Sequence, residues 1–376
     1  MIDVKLKNCC GCGTCAYVCP VGAIKLNENK EGFLYPELDA DICIACNKCE
    51  KVCPFTNDRL NDKKPLSAFG FKHLSDDVRL ESSSGGFFTA LSDEILESGG
   101  VIYGAVYNEN FDVVHGRADC KEERDKMRGS KYVQSDISNI FSLIKKDLDN
   151  EKNVLFVGTP CQVSGIKRVF LNCPNLITCD VICHGVPSPE LWRGFRTYFE
   201  KKHGSEIKEV YIRDTHDKSK GHITRIVTAS GEEYKTKDYV NMFFTNNPLR
   251  PSCYNCPFTT LNRDSDFTMG DFWGIEKNHS AMKDDKGVSF CFANTDAATE
   301  ILNRIKNSGV FFEASANDSL QPQLHHPCKK PWARKTFWKD YYKKDIDFLT
   351  EKYVVKKYGV RLKLFISKIL NKLLNR

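Results

Sequence analysis

No stretch of this chain approaches eighteen unbroken apolar residues, so no membrane-crossing helix is expected. Residues Met1 to Asn8 hold no apolar run, so no secretory leader is expected and the chain is assigned to the cytoplasm. A Walker phosphate loop is absent, as is a G-x-G-x-x-G following a strand. Neither phosphoryl transfer nor an ordinary Rossmann cofactor is therefore indicated. Excess basic charge is also missing from most of the chain. Residues 328–376 carry 15 Lys/Arg against 4 Asp/Glu, and the rest carries 40 basic and 45 acidic groups. The body is not a nucleic-acid binder on this distribution; only its end is basic.

What is abundant is cysteine, 18 in 376 residues, nine of them within the first 53. Without a secretion signal, that density points to metal ligation rather than to disulfides. Eight of the nine form an internal repeat. Cys9, Cys12, Cys15 and Cys19 follow C-x-x-C-x-x-C-x-x-x-C, closed by Pro20. Cys43, Cys46, Cys49 and Cys53 repeat it 34 residues on, closed by Pro54. Three thiolates at two-residue gaps wrap one short loop around three irons of a cubane. The fourth follows a longer step and opens a helix toward the other cluster. Structural zinc knuckles are the competing reading, but zinc sites use separated C-x-x-C pairs or mix in histidine, and neither run has a histidine beside it.

Residues 1–58 thus resemble a bacterial two-cluster ferredoxin. The resemblance assigns Cys9, Cys12, Cys15 and Cys53 to one 4Fe-4S cluster, and Cys43, Cys46, Cys49 and Cys19 to the other. Cys10 lies outside the pattern and is expected to be a neighbouring thiol. Gly11, Gly13 and Ala16 let backbone approach the cluster, and Gly32 to Pro36 reads as a short covering strand.

After a polar linker, Asn57 to Pro65, strands alternate with helices. Strands are expected over 67–72, 101–107, 111–116, 154–157 and 176–183, and helices over 87–96, 137–148 and from Cys161 to Leu171. The fold class is α+β or α/β: a small ferredoxin-like domain, a mixed body and a basic helical tail. The expected divisions are 1–58, two parts of one body at 65–150 and 151–325, and a tail at 328–376.

Three turns of the body suit a phosphate-bearing ligand. Ser84, Gly85 and Gly86 open a helix, where free N–H groups favour an anion. Lys131 and Tyr132 add a cation and a ring, and Gly158-Thr159 makes a third strand-to-helix turn. Taken singly, each also reads as ordinary helix capping.

Six motifs together are similar to those of one family. They are Ser83 to Leu91 (SSGGFFTAL), 129–135 (GSKYVQS), 158–162 (GTPCQ), 183–189 (CHGVPSP), 249–256 (LRPSCYNC) and 270–275 (GDFWGI). In that order they resemble the coenzyme F(420) hydrogenase/dehydrogenase beta-subunit family, in the branch that begins with a two-cluster ferredoxin. The resemblance runs to about Val310 and implies an iron–sulfur flavoprotein oxidoreductase with FAD. Its partner would be a redox protein or a small-molecule electron donor or acceptor, and coenzyme F(420) is a candidate substrate.

Competing functions are a non-catalytic electron-transfer or docking module, and a redox enzyme acting on a glycan or lipid at the membrane. His184 is the candidate proton donor; its plainer reading is a histidine bonded to nearby backbone. Cys161, Cys183, Cys253 and Cys256 sit in loop-like contexts that suit a third 4Fe-4S cluster, a placement the resemblance also supports. They can equally be buried cysteines with a zinc-binding or empty C-x-x-C. Finally, over Tyr353 to Arg376 apolar residues from Tyr358 to Leu373 recur at helical spacing among seven cations. Such a helix can lie on an anionic membrane as a peripheral contact or pack on protein.

Overall fold

A computed structural model describes residues 8–56, 60–214, 216 and 221–355. The first cysteine run coils tightly and is followed by a β-hairpin, β1 (Ile24–Glu28) and β2 (Leu34–Leu38), paired antiparallel. The covering strand expected over 32–36 falls at Leu34–Leu38, because Asn29 accepts from the N–H groups of Gly32 and Phe33 and holds a turn there. The second run then closes over the hairpin.

The later strands build two further sheets, one of eight strands and one of three. The large one takes β3 (Ser67–His73), β4 (Val101–Tyr107), β5 (Val113–Ala118), β6 (Val154–Gly158) and β7 (Leu176–Val181). A small antiparallel sheet follows from β8 (Ile207–Tyr211), β9 (Thr224–Thr228) and β10 (Glu233–Thr236). The chain then returns to the large sheet with β11 (Phe267–Asp271), β12 (Ser289–Ala293) and β13 (Gly309–Ala314). The large sheet has the order β13-β3-β12-β11-β7-β6-β4-β5. Its centre is parallel, β4 to β6 to β7 to β11, and its flanks are antiparallel. Because the sheet draws strands from both sides of residue 150, the two expected body parts form one sheet.

Helices Phe87–Glu97 and Asp296–Ile305 cover one face through Phe87, Leu91, Ile301 and Ile305. On the other face Phe141, Ile144, Val163 and Ile166 pack with Val154 and Phe156, and Cys10 and Cys12 join that same core. The first cysteine run is therefore part of the body's hydrophobic packing, a large favourable term for holding it in place.

Three expectations shift. The helix expected from Ile137 begins at Phe141, because the Asp136 carboxylate accepts from the Ser138 N–H and holds a turn there. The strand expected from Phe111 begins at Val113, since Asn108 Oδ1 accepts from the N–H groups of Asn110 and Asp112. Residues 328–355 also do not stand apart as a tail. Phe337, Trp338, Ile346, Leu349, Tyr353 and Val354 are buried in the core beside helix Pro189–His203. The remainder of the expected membrane helix, residues 356–376, lies outside the described residues. Among the described residues, no helix is long and apolar enough to cross a membrane.

Candidate metal centres

The cysteine runs fold into loops whose amides point at sulfur. Gly11 N–H donates to Cys9 Sγ at 3.3 Å, and Ala23 N–H to Cys19 Sγ at 3.2 Å. Bonds of this kind favour the thiolate and tune a bound cluster. Gly11 and Gly13 both have left-handed backbones, at φ 70° and 76°. A Cβ on Gly11 would lie 2.8 Å from Arg250 Nη1, so glycine is required where that side chain passes.

Cys15 has Cys12, Cys9 and Cys53 as its charged neighbours, and burial is the main cause raising its pKa. Cys19, Cys43, Cys46 and Cys49 line a second, separate pocket. The two groups of four are each made from both repeats. Among the described residues, no group of three His, Cys, Asp or Glu is arranged to hold a single metal ion.

A third gathering of thiols lies in the body. Cys161 is the second residue of helix Pro160–Val169, started by a Thr159–Gln162 capping box. Cys183 follows β7, Cys253 sits in the tight turn Pro251–Asn255, and Cys256 ends that turn. All four line one cavity, together with Cys10, Arg250 and Arg263. Burial raises the pKa of Cys183 and Cys253, while Val186 N–H donates to Cys253 Sγ at 3.4 Å. In the cavity wall, Arg263 is 2% exposed, and its Nε and Nη2 have no hydrogen-bond partner among the described residues. A soft-donor set beside a buried guanidinium with two uncommitted nitrogens fits an anionic thiolate cluster.

Cys10, expected only as a bystander, joins the two sites. Its hydrogen bonds to Cys12 and Cys161 push its own pKa well up. The same contacts lower Cys161 and take Cys12 down to about 6.

His184 also lines the cavity. Its Nε2 meets Asn246 Oδ1 at 2.7 Å, and its Nδ1 meets Gln323 Nε2 at 3.0 Å. The amide pair fixes a neutral ring with the proton on Nε2, and burial lowers its pKa. The expected backbone bonding is thus replaced by two side-chain partners, and both ring nitrogens are engaged.

Of the three turns assigned to a phosphate-bearing ligand, the first is held against β3 and β12 through His73 and Ser289, the second places Lys131 over Tyr107 at the end of β4, and the third ends β6. Ser130 N–H donates to Ser83 Oγ at 2.8 Å, which joins the first two turns. Gln162 Nε2 donates to Ser135 O at 3.0 Å, tying the third turn, Gly158-Thr159, to the same segment. Lys131 Nζ donates to Arg128 O and Gly129 O, and burial lowers its pKa to about 7. Tyr132 stacks on Phe243, centroids 5.0 Å apart.

The glycines of the first turn have another reason to exist. A Cβ on Gly85 would lie 2.1 Å from Phe71 O, and one on Gly86 would lie 2.9 Å from His73 Cβ. Protein fills those spaces, and Ser84 Oγ is committed to Val288 O at 2.8 Å. A bulky residue at Gly86 would therefore disturb strand packing whether or not a ligand binds there. By contrast, a Cβ on Gly129 would meet nothing within 4 Å.

Sequence reasoning missed Arg250, Gln134 and Arg263. Arg250 lay within a quoted motif, but a lone arginine gives no sign of what will enclose it.

Residues 8–57 match the family model described as a 4Fe-4S dicluster domain. Residues 151–319 match the model for the C-terminal part of the coenzyme F420 hydrogenase/dehydrogenase beta subunit. A chain of the F420-reducing [NiFe] hydrogenase complex from Methanosarcina barkeri is similar at 18% identity and a TM-score of 0.48, covering 73% of this chain and 92% of that one. No functionally curated protein matches this chain. Residues 151–319 thus carry the C-terminal region of the coenzyme F420 hydrogenase/dehydrogenase beta-subunit family, behind a 4Fe-4S dicluster domain at 8–57.

Proposed function

We propose that this protein is an iron–sulfur flavoprotein oxidoreductase that connects a two-electron carrier to single-electron clusters. The observation that carries the reading is the shared wall between thiol sites: Cys10 is buried in one core with Cys12 of the first repeat and lines the body cavity beside Cys161. Thiol sites built wall to wall suit a short electron path better than a set of isolated structural metals.

In this reading Cys9, Cys12, Cys15 and Cys53 hold one cluster, and Cys19, Cys43, Cys46 and Cys49 another. Cys161, Cys183, Cys253 and Cys256 hold a third. FAD lies along the turns of Lys131, Tyr132, Gly158 and Thr159, with Ser84, Gly85 and Gly86 shaping the rear of that surface. Bound flavin accepts a hydride and releases electrons singly, which is the chemistry that links the two kinds of carrier. An anionic cofactor beside Lys131, whose pKa burial lowers to about 7, would favour the charged form of its amine. Val186, Gly11 and Ala23 donate N–H groups to ligand sulfurs, and Phe55 and Phe258 cover the body cavity against water. His184 adds a polar ring, itself neutral, to the cavity wall. A deazaflavin such as coenzyme F(420) is one hydride carrier that fits the family, and a redox protein would dock at the exposed second repeat.

The test is an anaerobic purification followed by visible spectroscopy, iron and sulfide analysis, and flavin release by acid. About one FAD and twelve irons per chain are expected for a fully loaded protein. Iron and sulfide without flavin would overturn the flavoprotein reading and leave an electron carrier. Eight irons that survive Cys256→Ser unchanged would remove the body cluster.

A further inference from the structure

Arg250 is completely enclosed, at 0% exposure. Its Nε donates to Cys9 O at 2.6 Å and its Nη1 to Gln134 Oε1 at 2.9 Å. Nη2 donates to Leu34 O at 2.7 Å and faces Cys9 Sγ at 3.7 Å. The guanidinium lies over the rings of Tyr35 and Phe33, 4.3 and 5.2 Å from their centroids. The same residue lines the body cavity with Cys161, Cys183, Cys253 and Cys256. Its hydrogen-bond partners among the described residues are carbonyls, an amide and a thiol.

A buried cation that meets only neutral groups is costly, and the cost falls when negative charge is placed beside it. Thiolates on both sides are the anions within reach. The surroundings are also arranged to keep Arg250 where it is. Gln134 accepts from it while donating its own Nε2 to Cys10 O at 2.7 Å, and Gly11 clears its path. Arg263, on the cavity's other wall, is paired instead with Asp180 at 3.7 Å.

We propose that Arg250 is a positioning residue shared by two metal sites: its one guanidinium offsets thiolate charge at the Cys9 site and at the body cavity, and raises the reduction potential of both. This rests on the reading that both sites hold 4Fe-4S clusters. Reduction at either site takes one electron from an external low-potential reductant of the dithionite class. It adds one negative charge beside Arg250, with no proton transferred. A fixed positive charge in a buried setting, together with an N–H directed at ligand sulfur, stabilises that reduced state.

The experiment is an anaerobic dithionite titration of the full-length protein, followed by electron paramagnetic resonance. Signals are assigned with Cys15→Ser and Cys46→Ser. In Arg250→Gln the Cys9-site midpoint should fall by at least tenfold in the one-electron equilibrium, about 59 mV. The site of Cys19, Cys43, Cys46 and Cys49, whose pocket Arg250 does not line, should stay unchanged and serve as the internal reference. Arg250→Lys should recover most of the shift. A fully loaded Arg250→Gln with an unchanged Cys9-site midpoint, or with the reference site shifted equally, overturns the proposal. Where Arg250→Gln loses iron, Gln134→Glu decides. A carboxylate against the guanidinium should lower the same midpoint, and no change in a loaded variant overturns the proposal. Failure of the underlying reading looks different: the unmutated protein would then lack iron and sulfide.

Discussion

The two cysteine runs share one pattern and occupy opposite surroundings. In the first, Cys12 and Cys15 are buried, and the loop packs beneath helix Pro160–Val169, where a Cβ on Gly165 would lie 2.9 Å from Thr14 Cγ2. In the second, Cys46 is exposed, and Ile44 is 60% exposed beside it. Their backbones nevertheless coincide in kind. Gly11 and Gly13 have φ of 70° and 76°, and the residues 34 places on, Ala45 and Asn47, have φ of 52° and 55°. The cysteine spacing demands the left-handed turns in both runs. Glycine stands where the body presses on the loop, and larger residues stand where the loop faces outward. One motif therefore supplies two sites of different character, an inner one packed into the body and an outer one open to solvent.

Acid should separate the two sites most strongly. His115 is 6% exposed, bonded to Ser135 Oγ and Val157 O, and stacked on Phe156 of the core that holds Cys10 and Cys12. Burial lowers its pKa to about 4. Between that value and the ordinary one near 6.5, the unfolded chain binds more protons than the folded one, so stability falls as pH falls through this window. The full effect is about 3 kcal/mol. Denaturation curves from pH 7.5 to 5.5 should show the slope, and His115→Gln should flatten it. An equal slope in both proteins would detach this histidine from the inner site.

Gly11→Ala should be next in size, costing about 2 kcal/mol, because it adds left-handed strain and drives Cβ into Arg250. Iron should be lost from the inner site first, as read by the Cys15-dependent resonance signal. Ala45→Gly is the smallest change and has the opposite sign. It removes left-handed strain on the exposed run and should stabilise by up to about 1 kcal/mol, with both metal sites intact. Similar melting shifts from the two substitutions would mean that the runs are equivalent after all.

Much of this was legible in the chain itself, for identifiable reasons. Thiolate spacing is a local property, so the repeats and their loop form follow directly from Cys9 to Cys19 and Cys43 to Cys53. The strand Val154–Gly158 and the helix after Thr159 announce themselves by a continuous apolar run and a capping box. Other features have no local signature. Gly85 and Gly86 looked like a ligand cradle, yet their hydrogens face Phe71 and His73 of the preceding strand and, at Gly85, Ser289 of the distant β12. The basic segment after Cys328 looked separate until Phe337 and Leu349 entered the core.

The order of residues alone determines which thiols belong to each run and which turns their spacing imposes. It also settles the alternation of strands and helices, since hydrophobic periodicity acts over a few residues. Three-dimensional packing was needed to bring Cys161, Cys183, Cys253 and Cys256 into one cavity, and to stand Arg250 between it and Cys9. Those residues lie up to 241 positions apart along the chain. They meet because β6, β7 and the loop after Asn246 converge at one edge of the parallel strands, where burial sets the charges that each must satisfy.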